Sequence, residues 1–186
     1  MTATTAPQVE KPTIWQIDPA HSLVEFAVKH MMFTTVKGRF GGVHGTIVDD
    51  AADPSRSSVE VELDAASIDT REEKRDAHLR SPDFLDVESY PTITFKSSRV
   101  EHAGPDRLRV IGDLTIHGTT REVVLNTTIN GQGTNPFGQE VAGFTGETTI
   151  NRRDFGLNWN MALEAGGVLV GDTVKILLEI EAVKQS

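Results

Sequence analysis

The stretch LVEFAVKH, Leu23 to His30, carries large apolar side chains at Val24, Phe26 and Val28 and sets Glu25, Ala27 and Lys29 between them. A period of two puts every second side chain on one face of a strand, so the segment predicts a strand with one apolar and one wetter face. Working outward, Val59, Val61 and Leu63 alternate with Glu60 and Glu62, and Val174, Ile176, Leu178 and Ile180 are interleaved with Lys175 and Glu179. The pattern recurs in Ile93 and Phe95, in Leu108, Val110, Leu114 and Ile116, and in Val123, Leu125 and Ile129, each run bounded by Gly, Asn, Pro or Asp. Adding Phe40 to Val48 and Ala142 to Ile150 gives about eight strands, the regime of sandwiches and up-and-down barrels.

One segment breaks the period: TREEKRDAHLR, Thr70 to Arg80. Thr70 followed by Glu73 reads as a capping box, and Pro82 disfavours helical geometry in Ser81, so one short helix ending near Ser81 is expected at an end of the sheet. Residues 1–13, MTATTAPQVEKPT, are rich in Thr, Ala and Pro and aperiodic; they read as a mobile tail, which leaves 14–186 as the domain.

Composition narrows the function classes. A length of 186 residues suits one domain, and 38% hydrophobic with 24% charged residues is the range of chains that fold. The net charge of −9, uninterrupted by a Lys/Arg run, repels phosphate backbones and anionic headgroups, so neither nucleic acid nor polybasic membrane docking is expected. Cysteine is absent, which excludes disulfides, thiolate nucleophiles and thiolate metal sites. No stretch approaches the ~18 apolar residues of a span, so no stable membrane insertion is expected. The N-terminus has neither the basic nor the apolar region of a signal peptide, and a cytoplasmic location is the expectation.

A barrel of about eight strands has an interior either just filled by side chains or wide enough for one small ligand. The inward parity holds Phe26, Val28, Phe40, Phe95, Leu114, Ile116, Phe144 and Ile176, and also Gly112 and Gly146, which would leave room where a Leu would close it. These residues are the candidate lining of a narrow apolar tunnel, with a dry, filled core as the alternative. Met31, Met32 and Phe33, beside a strand end or turn, are the candidate mouth, where flexible Met side chains adapt to a sliding chain. The alternative is that they pack under a neighbouring loop.

Polar groups recur in pairs, Asp18 with His21, Asp76 with His78 and Asp113 with His117, with His30 besides. Their spacing matches no metal signature, and no nucleophile elbow, phosphate loop or dinucleotide fingerprint is present, so no catalytic residue, metal ligand or cofactor is assigned. Asp18 and Asp113 read instead as turn or cap residues, and Arg75, Asp76, Arg152 and Asp154 as ion pairs tying helix and loops to the barrel rim.

Three stretches together resemble the YceI-like family, the lipocalin-like polyisoprenoid-binding proteins of bacteria. They are WQIDPAHSLVEFAVKHMMFTTVKGRFGG from Trp15 to Gly42, SIDTREEKRDAHLRSPDFLDVESYPTITFKS from Ser67 to Ser97, and GDLTIHGTTREVVL from Gly112 to Leu125. The weaker NRRDFGL follows at Asn151 to Leu157, and Arg75-Asp76, His78-Leu79 and Tyr90-Pro91 fall where that family's motif has them. The resemblance implies an all-β fold with one short helix: an extended antiparallel β-barrel of about eight strands, lipocalin-like. Its lumen would hold a polyprenyl chain or an isoprenoid quinone, often in a homodimer. Many relatives look secreted or periplasmic, and this sequence departs from them in lacking a signal peptide.

On that resemblance the tunnel reading leads. The expected function is non-enzymatic binding, storage or transport of a long apolar molecule, with no cofactor other than such a bound lipid. A scavenger of hydrophobic small molecules under stress would use the same cavity, and an enzyme acting through a His/Asp cluster is the alternative of another class. For a ligand with a polar head, His21, Arg75, His78 and Arg153 are the candidate contacts. For a homodimer, Val123-Val124-Leu125 and Ile176-Leu177-Leu178 are the candidate outward apolar strips.

Overall fold

A computed structural model describes residues 11–186. The alternating segments form β1 (Thr13–Ile17), β2 (Leu23–His30), β3 (Thr34–Phe40), β4 (His44–Asp49), β5 (Ser58–Asp64), β6 (Thr92–Gly104), β7 (Arg107–Ile116), β8 (Thr119–Thr134), β9 (Glu140–Asn151) and β10 (Val170–Lys184). They hydrogen-bond in the order β1-β4-β5-β6-β7-β8-β9-β10-β2-β3, and β1 also pairs with β10, which closes the sheet. β1 begins at Thr13, within the stretch that reads as tail. Residues 1–10, on which the rest of that expectation falls, lie outside the described residues.

Ten segments make an eight-strand barrel because two long strands are each broken once. β1 and β2 pair with the same edge of β10, Trp15 opposite Lys184 and Phe26 opposite Ile176. Between them Pro19–His21 forms a single 3-10 turn, capped by the Asp18 carboxylate, which accepts from the Ala20 N–H. On the other side β3 pairs with β2 and β4 with β1, with a break at residues 41–43 where Gly42 takes φ 62°. Closure removes the unpaired edges that an open sheet would present to other chains.

The outer edge of β3 does not join β5. It meets the 65–91 segment instead, through an Arg39–Asp69 bridge. That segment carries α1 (Glu73–Arg80), which stops at Ser81 as the following proline predicts. Its N-terminus corrects the expected capping box. Glu72 is the cap, its carboxylate accepting from the Lys74 and Arg75 N–H groups. Thr70 turns inward and donates both its N–H and its hydroxyl to Asp76. The physical reason is that Asp76 is buried and a buried carboxylate needs donors more than an exposed helix end does.

Two other expectations are corrected. A Cβ on Gly112 would lie 2.4 Å from the Lys96 carbonyl oxygen and 2.7 Å from the Phe95 ring, and one on Gly146 would lie 3.0 Å from Leu178. Gly112 thus admits Phe95 and leaves no space for a ligand, whereas Gly146 packs against Leu178 and still borders the lower of the barrel's two cavities. The outward strips also dissolve: Val123, Leu125, Ile176 and Leu178 face inward. Leu177 alone of its triplet faces out, set across from Glu25 on one neighbour and Glu147 on the other.

Candidate functional site

The inward faces do not meet. They enclose two cavities, an upper one of about 470 Å³ and a lower one of about 160 Å³. The upper volume falls within the range of about 300–1,000 Å³ typical of small-molecule sites. Phe26, Val28, Phe40, Phe95, Leu114, Ile116 and Ile176 all line the upper cavity. Phe144 does not; it lines the lower one with Trp15 and Ile180. Leu125 and Leu178 border both, so these two side chains stand between the chambers.

The upper walls use strand parity directly. Val24, Phe26 and Val28 of β2 face across to Val174, Ile176 and Leu178 of β10, paired as Val28–Val174, Phe26–Ile176 and Val24–Leu178. Phe26 lies over Gly38, where a Cβ would come 2.3 Å from its ring, and meets Phe40 at a centroid separation of 5.6 Å. Both rings are thereby fixed against the wall, and the lumen stays clear of them.

The end of this chamber is built from segments without strand period. Residues of α1 and the turn after it contribute Leu79, Phe84 and Leu85, and the 152–170 segment contributes Arg152, Leu157, Trp159 and Leu169. His78 packs edge-on against Trp159 at 4.6 Å and Phe84 at 5.1 Å, while its Nε2 lies 2.9 Å from the Asp83 carboxylate. Arg75 donates through Nε and Nη2 to the hydroxyl and carbonyl of Thr70 and lines the cavity beside it.

Arg152, which reads in the sequence as an ordinary rim ion pair, is the buried organiser of this end. Its guanidinium donates to the carbonyls of Gly171 (2.9 Å), Leu157 (2.6 Å) and Trp159 (2.9 Å) and lies 3.3 Å from Asp172. Burial pushes its pKa down from the usual guanidinium value and Asp172 opposes that; an arginine nonetheless remains a cation. One side chain thus holds both ends of the segment that carries Trp159.

Of the other candidate contacts, Arg153 does not line the cavity. It is half exposed and pairs with Asp172 at 2.9 Å, because the turn at Arg152–Phe155 sends adjacent side chains to opposite sides. His21 is also away from both chambers. It sits on the outer wall with Nδ1 2.7 Å from Asp18 and 3.8 Å from Glu181. The hydrogen bond to Asp18 raises the His21 pKa, and the same bond, helped by the Ala20 N–H, lowers that of Asp18. Asp18, His21 and Glu181 are close enough to share a cation, but they are open to solvent and Asp18 is already engaged as a turn cap.

The remaining His/Asp pairs separate. Asp76 faces Thr70 while His78 faces Asp83, and His117 stacks on Tyr90 at 4.7 Å in the turn after β7. Met31 and Met32 form the tip of the β2–β3 hairpin, both at positive φ as a two-residue type I′ turn requires. Met32 and Phe33 are 58% and 81% exposed, and none of the three lines the cavity, whose wall ends at His30.

No helix among the described residues is long and apolar enough to cross a membrane. Compared with known proteins, residues 15–182 match the YceI-like domain. A UPF0312 protein of Pseudomonas syringae pv. syringae is 42% identical over 137 residues, 74% of this chain and 71% of that one. Among solved structures, Burkholderia cenocepacia BcnA superposes with a TM-score of 0.77 at 26% identity, covering 89% of this chain and 98% of BcnA. A polyisoprenoid-binding domain from Saccharophagus degradans, implicated in plant cell wall breakdown, gives a TM-score of 0.71 over 92% of this chain and 98% of that domain. At 15% identity that last likeness concerns the fold alone.

Proposed function

The chain belongs to the YceI-like family, and from that premise we propose that its upper chamber binds the tail of a long apolar molecule, a polyisoprenoid, an isoprenoid quinone or a similar amphiphile. The protein acts as its non-enzymatic carrier or store. The observation that carries this reading is the cavity of about 470 Å³ walled by Val, Ile, Leu and Phe side chains from strands on every side of a closed barrel. Each CH₂-sized group moved from water into such a space contributes ~0.8 kcal/mol, so one five-carbon unit gives about 4 kcal/mol before the costs of association. Chain shape, more than polar recognition, then sets what fits. The role is to keep an insoluble chain out of water.

Mass spectrometry of the protein purified from its own host under native conditions tests the reading. A co-purifying lipid is expected in the wild type and absent in Ile176→Trp, whose indole would fill the chamber beside Phe26. A wild-type protein that carries no lipid and takes up neither a prenol nor a quinone added in vitro would overturn it.

A further inference from the structure

The polar part of the upper chamber has one sign of charge. Its lining includes Lys29, His30, Lys74, Arg75, His78 and Arg152 and not one Asp or Glu, in a chain whose acidic residues outnumber Lys and Arg by 27 to 18. These groups gather at one end. His78 touches Trp159, the Trp159 carbonyl accepts from Arg152, Arg152 also donates to the Gly171 carbonyl, and Gly171 packs on the Lys29 side chain. The rest of the wall, down to Leu125 and Leu178, is apolar apart from Thr70 and Thr148.

Four carboxylates near this end are committed to other partners. Asp76 accepts from Thr70, Asp83 holds His78, Asp172 pairs with Arg152 and Arg153, and Glu72 caps α1. Among the described residues, none of Lys29, Lys74 and Arg75 is in an ion pair. Lys29 alternates with the inward Val28, so its side chain points outward, where its ammonium donates to the Thr35 hydroxyl; Lys74 and Arg75 are the cations left to the chamber. Arg75 spends the Nε/Nη2 edge of its guanidinium on Thr70, which leaves Nη1 for another acceptor. Cations kept free of carboxylates at the end of an apolar pocket are arranged to receive an anion, since a charge-assisted hydrogen bond is about twice as strong as a neutral one.

Building on the proposed function, we infer that the ligand is an anionic amphiphile whose phosphate or carboxylate head is received by Lys74 and Arg75 while its tail occupies the chamber. A neutral alcohol, amide or quinone of the same length gains the tail energy only. Arg152, with its donors already used, sets the positive field without touching the head.

Titration calorimetry with matched pairs tests this: geranylgeranyl phosphate against geranylgeraniol, and oleate against oleamide. The anionic member of at least one pair is expected to bind about tenfold or more tightly, and which pair shows it identifies the head. In Lys74→Gln the preference should fall towards unity while the neutral ligand is still bound, which also shows that the barrel is intact. Arg75→Gln should reduce the preference independently. Equal binding within both wild-type pairs, or a preference unchanged in both Lys74→Gln and Arg75→Gln, would overturn the anionic head and leave the carrier function standing. Binding of no member of either pair would remove both.

Discussion

The two chambers of this barrel are made differently. The lower one is enclosed mainly by paired strands, with Trp15, Ile47, Val110, Phe144 and Ile180 pointing inward by strand parity and only Pro54 and Ser57 added from the β4–β5 connection. The upper one has strand walls too, but its end is completed by α1 and by the 152–170 segment, neither of which has a period of two. The lower half is the hydrogen-bonded scaffold, and the upper half is where chain that the scaffold does not need is spent on a site. Functional residues gather on such connecting segments when a rigid frame positions them.

If that division is right, Arg152 should matter most. Arg152→Met removes the donor to four carbonyls and leaves them around an apolar side chain, a change of about 3–5 kcal/mol by analogy with broken buried ion pairs. Hydrogen exchange is expected to speed up in residues 157–171 while β5 to β8 stay protected. Uniform loss of protection across the barrel would mean that the two halves are one cooperative unit.

A smaller effect is expected where the chambers meet. Leu178→Ala should cost about 2 kcal/mol, the low end for a truncated Leu because the side chain already borders open space. It should also join the cavities and shift the preferred ligand to a longer chain, read as relative affinity across a prenol series. An unchanged preference would place the limit on chain length elsewhere.

The smallest effect belongs to a site in neither chamber. The raised His21 pKa contributes stability that is complete below its unfolded value of 6.5 and fades as pH rises through the folded value. The lowered Asp18 pKa contributes above 3.8 and is lost as pH falls through its folded value. His21→Gln should therefore lower the melting midpoint slightly, most below pH 6.5 and progressively less as pH rises through the raised folded value, and leave ligand affinity unchanged. Weaker lipid binding in this variant would give His21 the head-group role that its position on the outer wall denies it.

The same division explains what could be read from the sequence. Val24, Phe26, Val28, Ile176 and Leu178 were legible as wall because alternation fixes which face a strand residue takes. Closure of the sheet came from the family resemblance, since alternation alone fits a sandwich equally well. Trp159, Phe84 and Arg152 were not legible: they sit in turns and loops, where a side chain's direction depends on contacts distant in sequence. The NRRDFGL motif was the available signal, but it does not say which of Arg152 and Arg153 turns inward. Gly112 misled because an absent side chain reads as space, whereas close packing gave that space to Phe95.

The two tryptophans report on the two chambers separately, Trp159 on the upper and Trp15 on the lower. Titrating a bromine-tagged isoprenoid amphiphile into single-tryptophan variants, Trp15→Phe and Trp159→Phe, therefore asks directly whether a chain enters the upper chamber. Saturable quenching of Trp159, with Trp15 affected weakly or not at all, is the result expected. Unchanged Trp159 emission, or quenching confined to Trp15, would contradict the assignment of the upper chamber as the binding site.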